Sequence, residues 1–381
     1  MAEEDAVTPR VAPRGSRNDQ TRRNNLSSLL TAVHHGGPLT RAQLTRDTGL
    51  NRSTIGGLVT ELVDLGLVLE DAVEETGAVG RPSLIVRPRT DVVALALHAD
   101  VDALELGAVA LDGTVRARRR RVIEAPSPDD AAGFVVAARA DLADELGGAR
   151  VAGAAAAVPG LVSTDADTVV DAPHLGWRDV ALGALLTEAL GVDATVGNDA
   201  NLGLRAEWGY GAARGADHVV YLNGSASGIG GAALVAGGLL RGGRGYGGEF
   251  GHMLIRSDGE TCSCGRTGCL ETELNADRLD AAVRDVEAMD GLARTLAQAI
   301  ANLDVAFDPD LIVLGGYLRQ LFDAREELVT DTVRALAFRP DAEAVQVARG
   351  LLGRNRLLIG AGERAYARLL ADPAGVPLVA L

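Results

Sequence analysis

The densest concentration of reactive side chains runs from Glu249-Phe250-Gly251-His252 to Cys262-Ser263-Cys264-Gly265-Arg266-Thr267-Gly268-Cys269-Leu270-Glu271, and all three cysteines of the chain fall within positions 262–269. In a reducing compartment, thiols grouped this tightly point to metal rather than to a disulfide. Three thiolates and one imidazole complete a closed tetrahedral site of the kind that holds structural zinc, and His252 is the nearest histidine. The expected ligands are His252, Cys262, Cys264 and Cys269. The competing reading is three buried thiols and a core histidine without metal; the glycine-rich surroundings, which show no core pattern, argue against it.

Two further stretches carry polar chemistry. In Gly197-Asn198-Asp199-Ala200-Asn201 a strand over 194–196 is expected to end and a helix over 202–208 to begin. That sets Asn198 and Asp199 at the C-terminal end of a strand, where a crevice binds hydroxyl groups, with one of the two also serving as helix cap. Ser225-Ala226-Ser227-Gly228-Ile229-Gly230-Gly231 follows a strand over 219–222. Such a turn exposes backbone N–H groups to a phosphate, or closes a tight hairpin.

The elements that position these groups are α/β in pattern. Strands are expected over 92–97, 106–111 and 115–123 with a turn at Asp112-Gly113, then a helix over 129–146 and a strand over 151–158 that ends in Pro159-Gly160. Strands followed by helices in two successive halves predict two α/β lobes with a cleft between them. The run Arg116-Ala117-Arg118-Arg119-Arg120-Arg121 reads as a charged edge strand in preference to a nucleic-acid contact.

The first ninety residues differ in kind. They hold 11 arginines and 11 acidic residues, so the whole chain's net charge of -15 arises beyond them. An acidic surface repels phosphates, which places any DNA contact in this front segment. Residues 1–24 show no hydrophobic period and read as a mobile basic arm. Leu26, Leu29, Leu30 and Val33 then have helical spacing, Thr40-Arg41-Ala42-Gln43 fits a capping box, and Thr48-Gly49-Leu50 makes a turn. Asn51 caps a third helix with Ile55, Leu58, Leu62 and Leu65 inward.

Two short helices around a glycine turn form a helix-turn-helix, and strands near 67–70 and 83–86 flank a wing with Arg81 at its tip. Expected DNA contacts are Arg41, Gln43, Arg52, Ser53, Thr54, Gly57 and Arg81, with Arg52 placed to read a guanine edge. Gly56 and Gly57 imply either a close backbone approach or a weak helix. An accessory helical domain for protein contacts is the alternative.

With 47% hydrophobic and 23% charged residues over 381 positions, the chain has material for two or three domains. It has only 12 aromatic residues, and its 37 basic residues are all arginine. No apolar run of about 18 residues is present, so neither a membrane span nor a signal peptide is expected and the predicted location is the cytoplasm.

Taken together these residues resemble the ROK family, which holds sugar kinases and sugar-responsive repressors built on one two-lobed fold. The resemblance is carried by Val158-Pro159-Gly160, Leu175-Gly176-Trp177, Asn198-Asp199-Ala200-Asn201, Gly228-Ile229-Gly230-Gly231, Glu249 with His252, the cysteine loop and Leu314-Gly315-Gly316, and it covers almost everything beyond residue 25. It implies an actin-like, sugar-kinase-like (ribonuclease H-like) α/β body behind the winged helix-turn-helix. The implied division is an arm over 1–24, the DNA-binding domain over 25–88, a smaller lobe over 89–198 plus 356–381, and a larger lobe with the zinc loop over 199–355.

The resemblance further implies that Asn198, Asp199, Glu249, His252 and Glu271 hold sugar hydroxyls, with His252 serving zinc through one ring nitrogen and sugar through the other. Family kinases use an Asp at the position of Asp199 as base, and open their first lobe with Asp-x-Gly-Gly-Thr for the ATP phosphates. Here that stretch is Asp100-Val101-Asp102-Ala103-Leu104-Glu105, without the glycines or the threonine, and Ser225-Ala226-Ser227 replaces the Gly-Thr before Gly-Ile-Gly. Bulk and negative charge at the phosphate loop predict that catalysis is lost and Asp199 is vestigial. The expectation is a homodimeric regulator, with a tetramer left open, that binds operator DNA and answers to a sugar or sugar derivative. The alternative is an ATP-dependent sugar kinase with an N-terminal extension.

Overall fold

The computed structural model describes residues 14–72, 84–163, 167–338 and 345–381. Two compact units divide them: residues up to Arg89 together with 367–377, and residues 90–366 together with 378–381.

In the first unit helix α1 spans Arg14–Gly36, α2 Arg41–Thr48 and α3 Arg52–Asp64. The capping box is present: the Thr40 hydroxyl accepts from the Gln43 N–H, and the Gln43 side chain accepts from the Thr40 N–H. Gly49 ends α2 in the left-handed conformation, and the Asn51 side chain accepts from the Thr54 N–H at the start of α3. Leu26, Leu29, Leu30 and Val33 of α1 meet Leu44, Ile55, Leu58 and Leu62 in a core that excludes water. Strands Val68–Ala72 and Leu84–Pro88 pair antiparallel, with Leu39–Thr40 on the other side of the latter.

Two expectations change here. Residues 14–24 are helical and belong to α1, where a mobile arm over 1–24 was expected. Residues 19–24 are exposed and the sequence of the extension carries no apolar stripe, so a reading by hydrophobic period misses it; Arg22 ties it to Glu61 of α3 at 2.8 Å. The C-terminal boundary moves too, because 367–377 cluster with this unit and not with the body. Arg81 and the expected wing tip lie outside the described residues.

The second unit contains two larger sheets built to one plan. In the first, strand Val92–Ala99 lies between its hairpin partner Ala103–Ala110 and the parallel strand Arg150–Val158. Val115–Val122 extends the hairpin edge and Ala194–Asn198 the parallel edge. In the second sheet, Val219–Ser225 lies between its hairpin partner Gly228–Val235 and the parallel strand Leu311–Gly315, with Gly238–Leu239 and Gln346–Arg349 at the edges.

Helices Pro128–Glu145 and Leu182–Leu190 cover the first sheet through Phe134, Val135, Leu142 and Leu186. Helices Val286–Phe307 and Gly316–Leu336 cover the second through Leu296, Ile300, Leu318 and Phe322. A strand, a helical crossover and a parallel return are the connection that brings the next strand back beside the first.

The arginine run lies on the edge strand Val115–Val122, as expected, and its charges are met locally. Arg118 pairs with Glu105 at 3.1 Å, Arg119 with Glu145 at 2.8 Å and Arg120 with Asp102 at 3.2 Å.

Candidate functional site

The second sheet carries a long insertion between strand Gly238–Leu239 and helix Val286–Phe307, and this insertion supplies most of the reactive groups. A single helical turn, Phe250–His252, places His252 against the loop 262–269, and a short helix, Leu270–Glu273, starts at Cys269 and presents Glu271. The loop is drawn tight at Gly268 (φ +77°), where an added Cβ would fall 1.5 Å from the Arg256 carbonyl oxygen. Only glycine fits there.

One ligand atom each from His252, Cys262, Cys264 and Cys269 lies within 4.8 Å of all the others. His252 Nδ1 stands 3.5 Å from Cys262 Sγ, and Cys264 Sγ stands 3.7 Å from Cys269 Sγ. Two sulfurs bonded to one tetrahedral zinc at about 2.3 Å are separated by about 3.8 Å. The donor set and the sulfur spacing therefore fit a tetrahedral metal ion, and the thiols are free of disulfides. Burial, with Glu271 close by, pushes the Cys262 thiol up to about 12. At Cys264 burial acts the same way, but hydrogen bonds from the Arg266 N–H and guanidinium prevail and bring that thiol down to about 6.

Beside this cluster opens a cavity of about 530 Å³, and Asn198, Asp199, Glu249, His252 and Glu271 all line it. That volume lies within the range of small-molecule sites. His252 joins the two features, since its Nδ1 faces both Cys262 and, at 3.3 Å, a carboxylate oxygen of Glu271.

Asn198 turns out to be the cap: its Oδ1 accepts from the Asn201 N–H at 3.0 Å and its Nδ2 donates to the Gly160 carbonyl at 3.0 Å. Asp199 is buried at the start of helix Asp199–Tyr210 and accepts from the Ala200 N–H at 2.8 Å. Burial pushes its carboxyl up to about 7, with the neighbouring carboxylate of Asp100 adding to the shift. Desolvation also raises Glu249, reinforced by Glu271 and opposed by His252. The glycine-rich turn is a hairpin tip on the same cavity. Gly228 has φ +118°, and a Cβ there would stand 2.7 Å from Glu271 Oε2.

Several wall residues carried no sequence signal. Asp171, His174 and Tyr246 line the cavity from separate elements, and no spacing links them. Asp100 is the electrostatic neighbour of Asp199, yet the sequence marks it only as a remnant of a phosphate loop. Asp102 and Glu105 of that loop were expected to present negative charge; both are paired with arginines of the edge strand.

In the first unit, Arg52 and Ser53 are exposed at the start of α3, and Thr54 follows half-buried. Arg41 and Arg52 line one surface recess with Thr40 and Thr45. Two expected contacts are engaged within the domain: Arg41 makes a bidentate pair with Glu70 at 2.5 and 2.6 Å, and the Gln43 side chain belongs to the capping box. No atom lies within 4 Å of a Cβ built on Gly57, so no packed helix accounts for this glycine.

The sequence profile of the ROK family matches residues 95–285. The chain is 30% identical over 257 residues to the xylose repressor of Bacillus subtilis, a match covering 66% of each chain. It is 26% identical to a putative xylose repressor of Caldicellulosiruptor over 92% of this chain and 97% of that one. Among solved structures it resembles a ROK family transcriptional regulator, a homologue of the E. coli MLC protein, with a TM-score of 0.75 and 23% identity over 93% of this chain and 98% of that one. That last likeness is one of fold.

Proposed function

Because this chain belongs to the ROK family, we propose that it is a transcriptional repressor whose N-terminal winged helix-turn-helix binds operator DNA and whose cleft binds a sugar or sugar derivative that controls this binding. The observation that carries the reading is the span of the likeness to a repressor, which runs through both the front domain and the body. The cavity supports it, since the polar side chains of Asn198, Asp199, Glu249, His252 and Glu271 line it from three separate parts of the chain. Carboxylates and an amide satisfy sugar hydroxyls as donors and acceptors.

In this reading zinc occupies His252, Cys262, Cys264 and Cys269 and holds the insertion that presents Glu249 and Glu271. A homodimer reads a pseudo-palindrome with half-sites about 34–36 Å apart, or a multiple of that. Arg52, Ser53, Thr54 and Gly57 face DNA, with Arg81 in the adjacent wing, while Arg41 and Gln43 hold the domain together. Sugar shifts DNA affinity through its different affinity for two arrangements of the protein. Asp199 is the feature that favours the alternative of a sugar kinase, and Asp100-Val101-Asp102 opposes it by replacing a glycine-rich phosphate loop.

The test is fluorescence anisotropy of the full chain on DNA upstream of its own gene at fixed salt, with and without a panel of sugars. Specific binding released by a sugar is expected. An ATP-coupled assay on the same sugars is expected to show no turnover, and turnover lost in Asp199→Asn would overturn the repressor reading in favour of the kinase.

A further inference from the structure

A second, smaller cavity of about 80 Å³ adjoins the first, and the two share Gly160, Leu161, Asn198 and Glu249 in their walls. Its lining is unlike the rest of this acidic chain: Arg205 from helix Asp199–Tyr210, Arg241 from the start of the insertion and Arg364 from helix Arg356–Ala371 all reach it. Arg364 pairs with Asp167 at 2.8 Å. Among the described residues neither Arg205 nor Arg241 has an ion-pair partner, and the neighbouring charges of Arg241 and Arg364 bear on Arg205. Burial depresses Arg205 first, Glu363 opposes, and the two arginines add to the depression. One buried donor of a lining residue also lacks a hydrogen-bond partner, Arg364 Nε.

Like charges crowded into a small half-buried space repel one another, and an orphaned buried donor costs its full desolvation. A compact anion removes both penalties, because guanidinium groups match the oxygens of a phosphate or carboxylate in bidentate geometry. The volume holds a group of that size, while the larger cavity alongside has room for a sugar ring. We propose that the effector is an anionic sugar derivative, a sugar phosphate or a sugar acid, whose ring lies in the large cavity and whose charged group is bound by Arg205, Arg241 and Arg364. The inference rests on the effector reading of the large cavity and adds the chemical class of the ligand.

The experiment is calorimetric titration of the full chain with matched sets: glucose, glucose 6-phosphate and glucuronate; xylose and xylose 5-phosphate; N-acetylglucosamine and its 6-phosphate; and inorganic phosphate alone. One anionic member is expected to bind about tenfold or more tighter than its neutral parent. That preference should disappear in Arg241→Gln and in Arg205→Gln, with neutral-sugar affinity held, and return in part in Arg241→Lys. Arg241 is exposed, so its variants test the site without burdening the fold.

A neutral sugar that binds as tightly as its anionic partners overturns the inference and leaves the repressor reading intact. So does an anionic preference that survives both glutamine variants. Inorganic phosphate that binds without competing with any sugar phosphate shows an anion site separate from the effector, and equally overturns it. Binding of no sugar, neutral or charged, removes the effector reading itself and the inference with it.

Discussion

The two large sheets of the body share one strand order, hairpin edge to parallel edge, yet they have diverged at the same two places. At the hairpin tip the first sheet turns through Asp100-Val101-Asp102, whereas the second turns through Ala226-Ser227 into Gly228. After the hairpin the first sheet proceeds to its helix through a few residues, while the second inserts the segment that carries Glu249, His252, three thiols and Glu271. The plan common to both supplies strands and a place for a cleft. The chemistry comes from what differs, which is the usual relation between a fold and the site built on it.

If the insertion is the working part of the second sheet, removing its anchor should have the largest effect. If zinc occupies the cluster as proposed, Cys269→Ser is expected to lose it by elemental analysis and to lower Tm by about 5–10 °C. A variant with full metal content and unchanged Tm would place the anchor elsewhere. No change of comparable size is available in the first sheet, which has no such loop.

Asp199 and Asp100 follow two strands of the first sheet and are electrostatic neighbours, and their proximity has a pH signature. Below the ordinary carboxylate range Asp199 is protonated in both folded and unfolded chains. Between that range and the native value of about 7 only the unfolded chain gives up the proton, so stability falls as pH rises through this window. In urea denaturation, Asp199→Asn should therefore gain about 2–3 kcal/mol more over the parent at pH 8 than at pH 5. An equal difference at the two pH values would show that Asp199 titrates normally.

Gly228→Ala adds a methyl group toward Glu271 at a left-handed position, and should cost about 2 kcal/mol and weaken sugar binding. Tolerance of alanine with normal binding would mean that this tip needs no close approach. At the bottom of the scale, Arg120→Gln breaks an exposed pair on the first sheet's edge and should change stability by about 0.5 kcal/mol or less. A larger loss would make the arginine edge more than a solvated border.

Much of this was legible before any coordinates. Leu26, Leu29, Leu30 and Val33 announce a helix because a buried stripe repeats with the helical period, and the capping box at Thr40 and Gln43 is a local device written in four consecutive residues. The meeting of His252 with the three cysteines, a set that could hold a metal, was equally plain, since its four side chains lie within eighteen positions of sequence. The helical extension from Arg14 was not, because a solvated helix leaves no apolar period. Nor was the convergence of Arg205, Arg241 and Arg364, which approach from three distant elements and share no spacing. Asn198 shows the intermediate case. Its types of partner were foreseeable, but only the fold decides that its amide is already spoken for by Asn201 and Gly160.

The confinement of every thiol to one loop has a practical side. Cys264 is exposed while Cys262 and Cys269 are buried, and the chain has no other sulfhydryl and no lysine side chain. A thiol-reactive dye can thus label this protein at a single neighbourhood once any metal there is chelated, with Cys264 first in line and its two buried companions following only when the loop opens. The order and rate of labelling become a clock for that opening, built into the native chain without any engineered reporter.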